Sequence, residues 1–169
     1  MFIKRRAVPV LILAAAMLLS ACGFQLRGSN NQAGLPFKTI FLGFPETSLL
    51  GTELKRNIRA SGETAIATDP KTAQVILEVL SETREKQVLS LNSQGRVREY
   101  TLFYKLRFRV KNSKDAELLV PTEIVLKRDI SFNESQVLAK EKEEELLYRD
   151  MQSDLVQQIL RRLSAIKPV

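Results

Sequence analysis

The fifteen residues from Val97 to Lys111 alternate so strictly that they dictate the kind of fold this chain can build. Tyr100, Leu102, Tyr104, Leu106, Phe108 and Val110 fall on one side, and Thr101, Phe103, Lys105, Arg107, Arg109 and Lys111 on the other. A period of two predicts an extended strand with one apolar face, and that face needs a covering layer. Upstream, Val75, Leu77 and Val79 alternate with Ile76, Glu78 and Leu80, and the pattern continues more weakly to about Leu91. Asn92-Ser93-Gln94-Gly95 between the two runs is turn chemistry. With Ser93 and Gln94 at the tip, paired residue numbers add to 187. Val79 then faces Phe108 and Leu77 faces Val110, while Glu78 meets Arg109 and Glu82 meets Lys105. A slip by one residue would set core side chains against charges, which the pattern forbids.

The flanking segments supply the rest of the domain. Lys38 to Phe44 alternates with Ile40, Leu42 and Phe44 on one side, a first strand closed by Pro45. Thr47 or Ser48 caps a helix to about Ala60, with Leu50, Leu54 and Ile58 at four-residue spacing and Gly62 as its stop. Lys111 to Glu117 reads as a polar turn and Val120 to Phe132 as a further strand. A last helix runs from about Gln136 to Ser164, where Leu147, Met151, Leu155, Ile159 and Leu163 repeat every fourth residue. The predicted order is β-α-β-β-β-α. It predicts an α/β (α+β) two-layer sandwich, a four-stranded mixed sheet with two helices on one face.

The first thirty residues set the compartment. Lys4, Arg5 and Arg6 precede thirteen apolar residues, Ala7 to Leu19. That run is shorter than the roughly 20 residues of a membrane-spanning helix and fits the hydrophobic region of a signal peptide. It ends in Leu19-Ser20-Ala21-Cys22, which resembles the lipobox of bacterial lipoproteins, where the cysteine thiol is diacylglycerated before cleavage. The expected organisation is therefore a signal peptide over 1–21, a lipidated Cys22 with a tether over 22–36, and one domain over 37–166. Cys22 is the only cysteine, so no internal disulfide can form. One acyl chain binds a membrane marginally, whereas the three expected on a mature lipoprotein anchor it durably. Gly23 in the sorting position favours the outer membrane.

Charge and composition narrow the functions. Removing Lys4, Arg5 and Arg6 takes 26 basic residues to 23 against 19 acidic, a net charge of +4. That mild excess does not point to nucleic acid. The chain has no histidine and no cysteine but the anchor, which removes the common catalytic triads and metal sites. The acidic group Glu141 to Glu145 reads as a solvated helix start that complements the helix dipole. Glu78, Glu82 and Asp129 read as strand carboxylates with basic neighbours. No catalytic residue, metal ligand or cofactor is expected. Lys105, Arg107, Arg109 and Lys111 form a basic ladder on one strand face, which Lys127 extends on the next strand and to which Phe103 adds apolar surface; it is read either as a solvated face or as a partner interface. Arg96 and Arg98, beside Leu89 and Leu91 at the hairpin tip, form a second amphipathic spot suited to phosphate.

Three segments carry a resemblance. Cys22-Gly23-Phe24-Gln25-Leu26-Arg27-Gly28, Arg98-Glu99-Tyr100, and Leu138-Ala139-Lys140 followed by a helix ending in Leu160-Arg161-Arg162-Leu163 together resemble the LptE family of lipopolysaccharide-assembly lipoproteins. The resemblance implies two helices on a four-stranded sheet. It implies a non-enzymatic outer-membrane lipoprotein on the periplasmic side, which binds lipopolysaccharide and plugs and helps assemble the large β-barrel LptD. It also implies basic lipopolysaccharide-binding residues at the hairpin and at the start of the last helix. Lys140 matches the second. At the hairpin Ser93 stands where a basic residue is expected, with Arg96 and Arg98 close by. A lipoprotein module that tethers a different envelope partner is the alternative, and a cell-wall hydrolase using a carboxylate pair is a third class.

Overall fold

The computed structural model describes residues 34–167. The expected signal peptide, Cys22 and the tether as far as residue 33 lie outside the described residues. The sheet order is β2-β1-β3-β4-β5, with β1 spanning Thr39–Gly43, β2 Ala65–Ile66, β3 Val75–Leu91, β4 Val97–Asn112 and β5 Glu117–Ser131. Helix α1 covers Leu49–Ser61 and α2 covers Val137–Ser164. β1 is parallel to β2 and β3, and the remaining pairs are antiparallel. The predicted α+β architecture holds, with one more strand than expected. β2 is only two residues long, held where Ala65 N donates to Lys38 O and Ala67 N to Ile40 O. Two residues are too few to show a period. Among the described residues no helix is long and apolar enough to cross a membrane.

Both helices lie over the apolar sheet face. Ser48 caps α1, its Oγ accepting from Gly51 N at 3.0 Å, and Gly62 ends it with φ 73°, a left-handed conformation that suits glycine. A Cβ on Gly51 would come within 2.6 Å of Phe44 Cβ, so its bare backbone lets α1 seat on the end of β1. Leu50, Leu54 and Ile58 from α1 meet Met151, Leu155, Val156, Ile159 and Leu163 from α2 over Ile40, Leu77, Tyr104, Leu106, Phe108 and Val110. In α2 the first buried residue is Met151, so its opening turns add nothing to this core.

The β3–β4 register corrects part of the sequence expectation. Leu77 pairs with Val110, Glu78 with Arg109 and Val79 with Phe108, as predicted. Leu80 is then an extra residue, a β-bulge, and from Ser81 to Val88 the pairs add to 188. Glu82 therefore lies opposite Leu106 rather than Lys105. The bulge also reverses which residues of β3 face the helices: Val75, Leu77 and Val79 below it, Glu82, Arg84 and Lys86 above. Polar groups on a half-buried face need partners. Tyr104 Oη donates to Glu82 Oε1 at 2.6 Å and Ser48 Oγ to Glu82 Oε2 at 3.0 Å. Arg84 Nη2 donates to Gln152 Oε1 at 3.0 Å and to Tyr104 Oη at 3.1 Å. Burial and the neighbouring Glu82 carboxylate raise the Tyr104 hydroxyl above its usual range, keeping it the donor.

Candidate functional site

The uncovered sheet face carries the basic ladder, and the structure pairs most of it. Lys105 Nζ bonds both carboxylate oxygens of Glu85, at 2.8 and 2.9 Å, and sits 5.5 Å from the Phe103 ring centre. Arg109 Nε donates to Glu78 Oε2 at 2.6 Å, and Lys111 Nζ lies 2.7 Å from Asp115 Oδ1. Phe103 is opposite Glu85 and Lys127, Ile76 is opposite Lys111, and Leu80 falls on the bulge. Arg107 is exposed and makes no ion pair among the described residues; its cross-strand neighbours are Ser81 and Glu123. Asp129 accepts from Thr101 Oγ1 at 2.6 Å rather than from a basic side chain. The ladder is thus a charge-compensated grid with Arg107 as its open cation.

The pairing sets a pH dependence. The hydrogen bond from Arg109 holds the Glu78 carboxyl below its usual value, as that from Lys105 does for Glu85 and that from Lys111 does for Asp115. A depressed folded-state pKa adds stability above the ordinary carboxylate value, and this is lost as pH falls through the depressed one. Thermal melts of the wild type and Glu78→Gln will therefore differ most near pH 7 and converge below about pH 4. The difference stays small, since this ion pair is more than a third exposed. A gap that widens on acidification would contradict the pairing.

A second cluster forms at the hairpin end. Asn92 closes the turn, its Oδ1 accepting from Gln94 N and Arg96 N, and Gly95 takes φ 76°. Phe132 N donates to Arg98 O at 2.8 Å and packs edge-on against Tyr100, which brings the end of β5 and the start of α2 to the hairpin. Arg96 Nη1 lies 3.0 Å from Glu134 Oε2. Lys140 Nζ donates to Ser131 Oγ at 2.9 Å and Glu143 Oε2 at 2.8 Å. Arg96 and Arg98 therefore share one end of the domain with Lys140, which is distant in sequence. The Arg96 and Arg98 side chains are 62% and 67% exposed and free to reach out, whereas Lys140, at 17%, is held in place. Leu89, Leu91 and Leu138 are exposed on the segments that carry these cations.

Sequence reasoning missed Lys86. It lies 4.4 Å from the Tyr100 ring centre and 2.6 Å from Glu144 Oε2, on the helix side of β3 only because of the bulge. Within the acidic start of α2, Glu143, Glu144 and Glu145 are engaged by Lys140, Lys86 and Arg149.

The LptE profile, described as lipopolysaccharide-assembly, matches residues 37–163. This chain belongs to the LptE family. The LPS-assembly lipoprotein LptE of Pectobacterium atrosepticum is 28% identical over 166 residues, covering 96% of this chain and 88% of the relative. Lipoprotein B from Nitrosomonas europaea has a solution structure that superposes with TM-score 0.70 at 40% identity, covering 85% of this chain and 91% of that one. Rare lipoprotein B from Shewanella oneidensis superposes with TM-score 0.65 at 25% identity, over 76% and 95% of the two chains. The LptE match spans both the charge-compensated sheet face and the hairpin end.

Proposed function

We propose that this protein is a non-enzymatic lipoprotein, anchored through Cys22 to the periplasmic side of the outer membrane. There it binds lipopolysaccharide and plugs and helps assemble an LptD-type β-barrel as a heterodimer. Residues 1–21 are its signal peptide and 22–36 its lipidated cysteine and tether. The observation that carries the reading is the hairpin end, where Arg96, Arg98 and Lys140 meet exposed Leu89, Leu91 and Leu138. Cations beside leucines match the two halves of a phosphorylated lipid, since guanidinium pairs bidentately with phosphate and leucine covers acyl chain. Membership of a lipopolysaccharide-assembly family supports it. So do the names of relatives such as that from Pectobacterium atrosepticum.

The open sheet face with Phe103, Lys105, Arg107, Arg109 and Lys111 is the partner interface in this reading. A barrel lumen is polar, and a face of compensated ion pairs suits such a wall. Arg107, without an ion-pair partner among the described residues, is the ladder cation most available for a carboxylate on the barrel.

Affinity capture of the tagged, lipidated protein from its own envelope tests this. An LptD-type barrel is expected in the eluate at comparable amount, cross-linked through a photoreactive residue at position 107. Recovery of a different envelope partner, with no barrel, would favour the tethering alternative.

A further inference from the structure

Ion pairs occur at both ends of the domain, but not every cation there has one. At the hairpin end Lys86, Arg96, Arg98 and Lys140 each have a carboxylate within 4.0 Å. At the opposite end, where the described chain starts, Lys111 pairs with Asp115, whereas Lys38, Lys71, Lys114 and Lys167 make no ion pair among the described residues. Helix dipoles account for Arg59, Arg161 and Arg162, which sit in the last turns of α1 and α2. They do not account for the four lysines, which lie outside both helices.

Two of these lysines border a pocket. Lys114, in the β4–β5 turn, and Lys167, just past α2, line a cavity of about 220 Å³ together with Phe37, Asn112, Ser113 and Ile166. Among the described residues no carboxylate lines it. The combination of two ammonium groups, amide and hydroxyl donors and an apolar wall is that of a site for a phosphate bearing a hydrocarbon substituent. The volume is many times the roughly 10–15 Å³ that a single water needs by this measure, enough for a phosphodiester.

The tether restricts what can reach this pocket. Eleven residues separate Cys22 from Gly34. Even fully extended, that stretch reaches only about 40 Å. With Cys22 lipidated, the pocket end stays within about one bilayer thickness of the headgroups around the anchor. We propose that this pocket seats the phosphate of an anionic phospholipid in the leaflet that carries the anchor. Seating it turns the hairpin end away from that leaflet. The inference rests on lipidation of Cys22.

The test uses the full lipidated protein in vesicles of phosphatidylcholine alone or with phosphatidylglycerol. Flotation reports the anchor, and amine acylation at each lysine, read by mass spectrometry, reports the pocket. Lys114 and Lys167 are expected to react about fivefold more slowly in the phosphatidylglycerol vesicles. Lys142, in the opening turns of α2, is expected to react equally in both. Flotation with no protection of Lys114 and Lys167 overturns the pocket assignment and leaves the anchor standing. Equal slowing at Lys142 also overturns it, because the effect is then general to the charged surface. Inorganic phosphate protecting both lysines equally well in phosphatidylcholine vesicles replaces the lipid by a free ion and overturns the headgroup assignment. Absence of flotation in either vesicle removes the anchor and the proposal with it.

Discussion

Reversing charge at both Arg96 and Lys140 (Arg96→Glu with Lys140→Glu) is expected to lower capture of lipopolysaccharide by about a hundredfold. Each position exchanges an attractive contact with phosphate for a repulsive one, which amounts to about tenfold apiece. The native arrangement adds to the effect. Arg96 lies against Glu134 and Lys140 against Glu143, so each reversal also leaves a resident carboxylate facing a second one. The opening turns of α2 bury nothing, so the disturbance stays local and the core is untouched. Capture is measured with purified lipopolysaccharide at low salt. Co-purification of the barrel, which is assigned to the other sheet face, serves as the control. Capture within twofold of wild type would remove the hairpin end as the lipid site.

Truncating Phe108 to alanine has the largest expected effect on stability. The ring is fully buried, under both helices and at the last regular pair before the bulge. Loss of a phenylalanine side chain from such a position costs about 3–5 kcal/mol. Set against a typical total of roughly 5–15 kcal/mol, that is a large share. For a domain of this size it lowers Tm by about 10–18 °C. Val125→Ala on the open face is the matched control, exposed and expected to shift stability by no more than about 0.5 kcal/mol. Equal shifts for the two would mean that the buried and open sheet faces have been assigned the wrong way round.

These two variants probe features that were legible to different degrees. The buried face of β4 could be read off because every second residue from Tyr100 to Val110 is apolar, and core burial imposes that period. Ser48 and Gly62 were readable as the ends of α1 because capping is local chemistry. The two tight turns repeat one pattern, Asn92-Ser93-Gln94-Gly95 and Asn112-Ser113-Lys114-Asp115. In each the asparagine side chain accepts from two later backbone N–H groups. Asp115 takes the left-handed φ of 65° that Gly95 takes in its twin, one of the few non-glycine types that tolerate it.

The bulge at Leu80 was not legible, because a bulge residue keeps the hydrophobicity of its surroundings while changing the count. Everything beyond it inherited the wrong partner: Glu82 was matched to Lys105, whereas Glu85 holds that lysine. The weakened alternation after Val79 was the trace it left. At the candidate site, the residue types at Arg96, Arg98 and Lys140 could be singled out one by one. Their shared location could not, since it depends on β5 returning along β4 to deliver Phe132 beside Arg98.

The length of β3 turns the domain into a ruler. Its seventeen residues span about 55 Å at the usual rise, although twist shortens this somewhat. A bilayer with its headgroups measures about 40–45 Å. A molecule seated by its lysine-bordered end at one leaflet would therefore carry Arg96 and Arg98 to, or just past, the headgroups of the other. Shortening the hairpin by one residue in each strand would invert the faces beyond the cut, so its length can change only in steps of two residues, about 7 Å at a time. Reach and facing are locked together, and a chain that must span a fixed thickness has few lengths open to it.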